Sequence, residues 1–264
     1  MPYRIDLRNA RSGVCDRLID LGAIDVELSP DGGVAAVMPD HVAPEQIASA
    51  LGVDDVAIST AHGRDAGSVW ILRPRPIQIG RLRIVPADHE PAADTLRLID
   101  ADAFGTGLHP TTALCVEALE ALVTISPPEA VLDVGTGSGV LALSALMMGV
   151  PRALGIDIDA EALRIAADNA RLNGLHDRVQ LAEGGPERVT GTWPLVVANV
   201  LAAPLIEMAP AIVRCIGHQG HVVLSGIPAS VEGDVDKAYG GLGLRRVRTM
   251  SRGGWVALVL RTSW

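Results

Sequence analysis

A glycine-rich turn followed by a distant carboxylate is the part of this sequence whose residue types and spacing point most directly to chemistry. Gly135, Gly137 and Gly139 follow an apolar run that begins at Val131, and Asp157 ends the next apolar run, 22 residues after Gly135. Glycines allow the backbone to approach a ligand closely, and an acid about 20 residues further on is placed to accept hydrogen bonds from ribose hydroxyls. The spacing therefore predicts a strand–helix–strand unit that binds an adenosine-containing cofactor.

The spacing within the turn and the acid ahead of it distinguish between cofactors. Dinucleotide-binding turns have the spacing G-x-G-x-x-G and face a pyrophosphate, whereas the glycines here are spaced G-x-G-x-G. Asp133 lies two residues before the first glycine, where a carboxylate suits a cationic ligand better than a pyrophosphate. S-adenosylmethionine carries an ammonium and a sulfonium group, and the segment resembles the first signature of the class I methyltransferases that use it. We therefore predict that Asp133, Gly135, Gly137 and Asp157 bind S-adenosylmethionine, with NAD binding or an unrelated tight turn as the alternatives.

A second glycine-rich segment, residues 103–112, precedes a predicted helix. Thr106 lies between two glycines, so the backbone can fold tightly over a ligand, and Phe104 is the only phenylalanine in the chain. We expect Phe104 to cover the cofactor, with core packing as the alternative. One of the threonines at 111–112 is expected to cap the helix, whose free N–H groups would then face the cofactor. For His109, a structural role is favoured over acid–base catalysis.

A third segment places an asparagine at the end of an apolar strand. Residues 195–198 are apolar and lead to Asn199, with Pro204 a few residues later. Open α/β sheets bind ligands at the carboxyl ends of their strands, and a carboxamide oxygen there can accept a hydrogen bond from an amine. Amino-methylating enzymes of this fold commonly have an asparagine or aspartate at this point. Asn199 is therefore predicted to be the catalytic residue, the alternative being an N-cap for the helix that follows.

Together these segments resemble one family much more specifically than any of them does alone. The loop before the helix, the glycine-rich turn, the acidic strand end and the segment around Asn199 are similar to the PrmA family of ribosomal protein methyltransferases, and the resemblance extends over residues 69–264, including the late Trp255. Members of that family trimethylate amino groups of large-subunit protein eleven, at the base of the ribosomal stalk. The resemblance implies cofactor contacts from Thr112, Gly135, Asp157 and Asn199, with Phe104, Gly105 and Thr106 closing the pocket.

The composition limits the cellular setting and the kinds of partner. The formal net charge of −9 argues against broad binding to nucleic acid or to anionic membranes and is compatible with a basic protein substrate. The three cysteines, Cys15, Cys115 and Cys215, are far apart, which favours neither a disulfide framework nor a zinc site. The longest apolar stretch, residues 140–150, is too short to cross a bilayer. We expect a cytoplasmic protein that binds no metal.

The first hundred residues are predicted to form a small domain and a connection. Short apolar runs and turns suggest the order βαββαβ over residues 1–60, which is typical of a ferredoxin-like sheet. By resemblance, this domain recognises the substrate. Residues 61–100 are predicted to be a linker, with Gly and Ser in 61–68, and a pair of strands at Val69–Leu72 and Gln78–Val85.

Residues 101–264 are predicted to form the cofactor-binding domain. Strands are expected at 130–134, 152–157, 178–182, 194–199, 220–225, 244–249 and 254–260, and helices at 112–123, 139–148, 160–173, 203–213 and 228–239. Alternating strands and helices indicate a parallel sheet covered on both faces. The short turn after residue 249 predicts an antiparallel hairpin at one edge of the sheet. The predicted fold is thus a Rossmann-like class I methyltransferase domain with a small N-terminal α+β domain.

The combined expectation is an S-adenosylmethionine-dependent protein N-methyltransferase. It would methylate lysine ε-amines, the N-terminal α-amine, or both, on the ribosomal stalk-base protein, and release S-adenosylhomocysteine. Asn199 would orient the amine but could not act as a base, because an amide takes up no proton at neutral pH. The alternatives are another cytosolic protein lysine or a small amine as acceptor, a nucleotide-dependent oxidoreductase, and a binding module without catalysis. Direct contact with nucleic acid or with a membrane is not expected.

Overall fold

The structure, a computed structural model, describes residues 3–7, 14–23, 25–28, 34–39, 41–53, 56–60, 76–99, 109–252 and 254–264. The chain divides into two compact units, Met1–Leu72 and Arg73–Trp264. The predicted linker at 61–68 and the predicted strand Val69–Leu72 lie outside the described residues.

The first unit is a four-stranded antiparallel sheet with two helices. Its elements are β1 (Tyr3–Leu7), α1 (Val14–Asp20), β2 (Asp25–Leu28), β3 (Val34–Met38), α2 (Pro44–Leu51) and β4 (Ala57–Thr60). The strand order β2-β3-β1-β4, with every neighbouring pair antiparallel, is that of a ferredoxin-like unit, as predicted. Ile5, Leu18 and Ile47 are fully buried between the sheet and the helices. Alternation in the strands and 3.6-residue periodicity in the helices account for this one-sided core.

The second unit begins with a three-stranded sheet, which corrects one prediction. The expected single strand Gln78–Val85 is two strands, β5 (Ile77–Ile79) and β6 (Leu82–Pro86), and β6 pairs in parallel with β7 (Thr95–Leu98). Gly80 has φ +56° and so turns the chain between the first two strands. Apolar residues alternate with polar ones on each side of the turn, and the alternation breaks between Ile79 and Leu82, where the chain reverses.

The large sheet carries the remaining elements and has seven strands. They are α3 (Pro110–Ile125), β8 (Ala130–Val134), α4 (Val140–Met147), β9 (Arg152–Asp157), α5 (Ala160–Leu172), β10 (Val179–Glu183), β11 (Trp193–Asn199), α6 (Ala202–Arg214), β12 (Ile216–Pro228), α7 (Glu232–Gly240), β13 (Leu244–Arg252) and β14 (Trp255–Thr262). The strand order is β10-β9-β8-β11-β12-β14-β13. The class I methyltransferase fold and the antiparallel hairpin are both confirmed, and β14 lies between β12 and the edge strand β13.

Both faces of this sheet are covered, which explains why its central strands are almost entirely apolar. All five residues of β8 are buried. One core lies on the face covered by α3 and α4, and a second lies on the face covered by α6 and α7. Because β8, β9, β11 and β12 are parallel, their carboxyl ends meet at one edge of the sheet. Among the described residues, no helix is both long and apolar enough to span a membrane.

Candidate functional site

The glycine-rich turn leaves the carboxyl end of β8 in a conformation that its sequence makes possible. Gly135, Gly137 and Gly139 have φ values of +71°, +54° and +82°, a region that side-chain-bearing residues rarely adopt. The N–H groups of Gly135 and Thr136 both donate to the Ile156 carbonyl at 2.9 Å. A Cβ atom on Gly135 would lie 2.5 Å from Val200 Cγ1. The turn is therefore closely packed against the neighbouring strand end and can be built only with glycine.

Asp157 links this turn to the end of β9. Its Oδ2 accepts a hydrogen bond from Gly137 N at 2.9 Å, and its Oδ1 accepts one from Asp159 N at 3.1 Å. The residue is only partly buried, and each carboxylate oxygen has a further lone pair. Asp157 can therefore hold the turn and still accept hydrogen bonds from two hydroxyls of a ribose.

Asp133 lies beneath the turn and not at its surface. Its side chain is 0% exposed, and Oδ2 accepts hydrogen bonds from Thr136 Oγ1 at 2.7 Å and from Ala142 N at 3.0 Å. Oδ1 has no hydrogen-bond partner among the described residues. Burial raises the pKa of Asp133 to about 7, although the two hydrogen bonds act in the opposite direction. Asp133 therefore ties β8 to the first turn of α4, and its direct contact with a cationic ligand stays a prediction.

This burial makes Asp133 a source of pH dependence. Its pKa is about 7 in the folded protein against 3.8 for an exposed aspartate, so between these values only the unfolded chain loses the proton. Stability should therefore fall as the pH rises from about 4 to about 7, by at most about 1.4 kcal/mol per pH unit. We expect Asp133→Asn to lose this dependence. Chemical unfolding of both proteins at a series of pH values measures it.

Comparing wild type with Asp133→Asn separates the contribution of Asp133 to the pH dependence of stability from that of His109, which is also buried at this edge. His109 acts with the opposite sign, because its lowered pKa costs stability as the pH falls below about 6.5. The difference between wild type and Asp133→Asn cancels that contribution. A difference that stays constant between pH 4 and pH 7 would contradict the assignment.

The start of α3 differs from the sequence prediction. Neither threonine at 111–112 is the cap; His109 is the N-cap residue, and its Nδ1 lies 3.4 Å from Thr111 N and 2.7 Å from Thr111 Oγ1. The helix begins at Pro110, whose fixed φ suits the first helical position, so the cap lies two residues before Thr111. Thr112 does not cap the helix and lies fully buried beside Asn199.

Asn199 ends β11 at the carboxyl edge of the sheet, as predicted. Its Nδ2 donates to Thr112 Oγ1 at 3.5 Å, and the side chain is 8% exposed. Leu201 is the N-cap residue of α6, which excludes the capping role for Asn199. Its Oδ1 is buried and has no hydrogen-bond partner among the described residues. Because an unsatisfied buried acceptor is costly, this oxygen is a candidate atom for accepting a hydrogen bond from a ligand.

His109 and Trp255 form an aromatic pair at the same edge. Their ring centroids are 4.9 Å apart and the ring planes are inclined at 70°, an edge-to-face arrangement. Burial lowers the pKa of His109 to about 4, so the imidazole is neutral at physiological pH and is a weak base. This supports the structural role predicted for His109. Sequence reasoning missed the pair; a tryptophan at the start of the last strand was its only signal.

Phe104, Gly105 and Thr106, the residues predicted to close the pocket, lie outside the described residues. Their role stays a prediction. Gly226 on β12 adds a constraint that the sequence did not suggest. It has φ +83°, and a Cβ atom there would lie 2.1 Å from the Val200 carbonyl oxygen. The residue after Asn199 is thus packed between two glycines, Gly135 and Gly226, which fixes the course of the chain on leaving β11.

These residues suit an adenosine-containing cofactor together with an amine. The glycine turn offers close backbone approach, and Asp157 offers acceptors for a ribose. Asn199 offers an acceptor for an N–H group, since its Oδ1 has no partner within the described part of the chain. Burial raises the pKa of Asp133 to about 7, so a cationic ligand bound next to the turn would favour the charged form of this carboxyl. Within the described ranges, no cluster of three or more His, Cys, Asp or Glu side chains is placed to hold a metal ion.

Comparisons with known proteins give a consistent result. The family described as "Ribosomal protein L11 methyltransferase (PrmA)" matches residues 38–263. A ribosomal protein L11 methyltransferase of Pelobacter propionicus is 39% identical over 219 residues, covering 80% of this chain and 71% of that protein. The enzyme of that name from Actinobacillus pleuropneumoniae is 42% identical over 73% of this chain and 67% of its own length.

One solved structure is similar over most of its length. It is a ribosomal protein L11 methylase from Lactobacillus delbrueckii subsp. bulgaricus, with a TM-score of 0.65 and 32% sequence identity. The likeness covers 71% of this chain and 98% of that one.

Proposed function

This chain belongs to the ribosomal protein L11 methyltransferase (PrmA) family, and from that premise we propose that it methylates ribosomal protein L11 with S-adenosylmethionine as the methyl donor. The acceptors are lysine ε-amines, the N-terminal α-amine, or both, and the other product is S-adenosylhomocysteine. The observation that carries the proposal is the Oδ1 of Asn199, which is buried and has no hydrogen-bond partner among the residues that the structure describes. It lies at the sheet edge that also holds the glycine turn and Asp157. A carboxamide acceptor is what a neutral amine needs to be held with its lone pair directed at a methyl group.

The residues of this chain would promote the reaction mainly by positioning the amine against the methyl group. S-adenosylmethionine supplies an electrophilic methyl group on a sulfonium, and its departing thioether is neutral, so no acid is needed. Asn199 accepts an N–H hydrogen bond from the amine and so aims the nitrogen lone pair. Holding two reactants in near-attack geometry can lower a barrier by about 7–11 kcal/mol.

The amine must reach the site in its neutral form. A lysine has a pKa of about 10.4 and an α-amine about 8, so a proton leaves before transfer. Asn199 cannot take that proton, and the pKa of His109, about 4, makes its imidazole too weak a base to hold it. The proton is therefore proposed to pass from the amine to solvent.

The cofactor contacts are proposed from the geometry of the turn. Gly135 and Gly137 provide the backbone surface, Asp157 binds the ribose, and Thr112 supports Asn199. Asp133 lies buried behind the turn, where a bound cationic ligand would favour its charged form. Phe104, Gly105 and Thr106 are proposed to close over the cofactor, as the sequence resemblance implies.

The proposed setting follows from the substrate. The chain is acidic, with a formal net charge of −9, which suits a basic protein partner. We assign substrate recognition to the ferredoxin-like unit and place the enzyme in the cytoplasm, where ribosomal proteins are made. Direct binding to nucleic acid or to a membrane is not part of the proposal.

Intact mass spectrometry of ribosomal protein L11 after incubation with the enzyme and S-adenosylmethionine tests this function. We expect increments of whole methyl groups, and none when the cofactor is left out. No increment, with S-adenosylmethionine binding retained, would move the acceptor to another protein lysine or a small amine. If the enzyme neither bound S-adenosylmethionine nor modified the protein, the proposal would be wrong, and NAD(H) binding would then favour an oxidoreductase.

A further inference from the structure

Asn199 and Trp255 lie on the same face of the large sheet, on either side of β12. Val197, two residues before Asn199, belongs to the core on the α3 face, and Asn199 itself contacts Thr112 of α3. Trp255 contacts His109, the N-cap residue of the same helix. The strand order β11-β12-β14 places their strands two strand spacings apart, about 10 Å, and Pro228, the partner of Trp255, lies three positions beyond Ser225, the partner of Asn199. Both side chains therefore lie at the carboxyl edge and flank the first turn of α3.

The stretch of β12 between these two residues is irregular. Asn199 pairs with Ser225 and Trp255 pairs with Pro228, but the register of β12 shifts between Leu224 and Ile227. The irregular stretch includes Gly226, which has no side chain. The strand between the acceptor amide and the indole ring thus departs from regular pairing at the carboxyl edge.

An amine that receives several methyl groups changes its hydrogen-bonding capacity at each step. A neutral primary amine has two N–H groups and a monomethylated amine has one, but a dimethylated amine has none. The Asn199 oxygen can therefore orient the nitrogen for the first and second transfers and cannot orient it for the third. A third transfer needs a contact that recognises methyl groups or the developing cation.

Trp255 has the chemistry for that contact. An aromatic face attracts a methylated ammonium group through its ring quadrupole, and tryptophan does so best. The side chain is only partly buried, and the edge-to-face contact with His109 uses at most one face of the indole. Arg252, which pairs with Trp255 on β13, is held by Glu117 at 2.8 Å. The cation nearest in the sheet is therefore neutralised and does not repel a methylated amine.

We infer that Trp255 is a specificity-determining residue that holds the dimethylated nitrogen by its ring face and so sets how many methyl groups the enzyme adds. The inference rests on the proposed function. In the third step the lone pair of the neutral dimethylamine forms the new N–C bond. The C–S bond breaks with its electrons remaining on sulfur, and the product is a quaternary ammonium that has no proton to lose. The earlier steps differ only in that each product ammonium releases one proton to solvent.

The test compares full-length wild-type enzyme with Trp255→Leu and Trp255→Phe, using ribosomal protein L11 and S-adenosylmethionine. Time courses of intact mass separate mono-, di- and trimethylated sites. We expect Trp255→Leu to slow the third transfer at least tenfold more than the first, so that dimethylated sites accumulate. Trp255→Phe keeps a smaller aromatic face and should give an intermediate distribution.

Trp193→Leu is the matched control. Trp193 also begins a strand, is partly buried, and has an indole N–H without a hydrogen-bond partner in the described part of the chain, but it lies at the amino end of β11. Its substitution should leave the product distribution unchanged. The inference is wrong if Trp255→Leu or Trp255→Phe slows all three transfers equally, or if wild-type enzyme stops at one or two methyl groups. If wild-type enzyme adds no methyl group at all, the proposed function fails instead.

Discussion

Replacing Asn199 by alanine is expected to lower kcat by about 100-fold or more while S-adenosylmethionine still binds. The side chain is 8% exposed, and its Oδ1 is the acceptor that we propose to orient the amine. Loss of alignment by about 1 Å can cost 100-fold in rate. The glycine turn and Asp157 are hydrogen-bonded to each other and not to Asn199, so the cofactor site should persist. Steady-state kinetics on ribosomal protein L11 and titration calorimetry with S-adenosylmethionine measure the two effects separately.

Asn173→Ala is the control for this prediction. Asn173 is also an asparagine with a partly buried carboxamide, and it exchanges hydrogen bonds with Arg97 at 2.9 Å and 2.7 Å, which ties β7 to the end of α5. Its removal should lower the melting temperature and leave kcat close to that of wild type. Equal turnover in Asn199→Ala and wild type would remove Asn199 from the mechanism. Loss of cofactor binding in Asn199→Ala would show that the residue mainly shapes the cofactor site.

Replacing Asp157 by alanine is expected to weaken S-adenosylmethionine binding by about 100-fold. Two contributions add: the ribose loses a charged acceptor, and the turn loses the hydrogen bond from Gly137 N, which is 2.9 Å long. Hydrogen bonds to charged groups contribute about 1.5–3 kcal/mol each, and 1.4 kcal/mol corresponds to a tenfold change in affinity. Calorimetry with S-adenosylmethionine and with S-adenosylhomocysteine measures the loss for both forms of the cofactor.

Asp159→Ala is the matched substitution two residues later. Asp159 is the N-cap residue of α5 and accepts a hydrogen bond from Glu161 N at 2.9 Å. Removing this cap should cost about 1 kcal/mol of stability and leave the affinity nearly unchanged. Similar affinity losses in the two variants would point to a general loosening of the end of β9. Unaltered affinity in Asp157→Ala would refute the ribose assignment.

Most of the fold follows from local patterns in the sequence. The predicted strands at 130–134 and 152–157 coincide with β8 and β9, because apolar runs bounded by glycine and charged residues mark strands that are buried on both faces. The prediction of one strand at Gln78–Val85 was wrong because the alternation breaks between Ile79 and Leu82, at the turn around Gly80. A break of one residue in the alternating pattern marks the point where the chain reverses.

The candidate site, like the fold, has features that could be predicted from the sequence and features that could not. The positions of the glycine turn, Asp157 and Asn199 could be predicted because each depends on residues within one strand and the turn that follows it. The burial of Asp133, the capping of α3 by His109 and the contact of His109 with Trp255 could not be predicted. The last of these joins residues that are 146 positions apart in the chain.

The sequence by itself therefore determined the family, the class of fold, and which residue types stand at the carboxyl edge of the sheet. Only the tertiary structure decided which polar atoms at that edge have a hydrogen-bond partner among the described residues and which do not. The physical reason is that burial and hydrogen-bond satisfaction depend on neighbours supplied by distant segments. Asn199 lies beside Thr112 of α3, and Trp255 of the last strand lies beside His109, because the sheet brings β11, β12 and β14 under one helix.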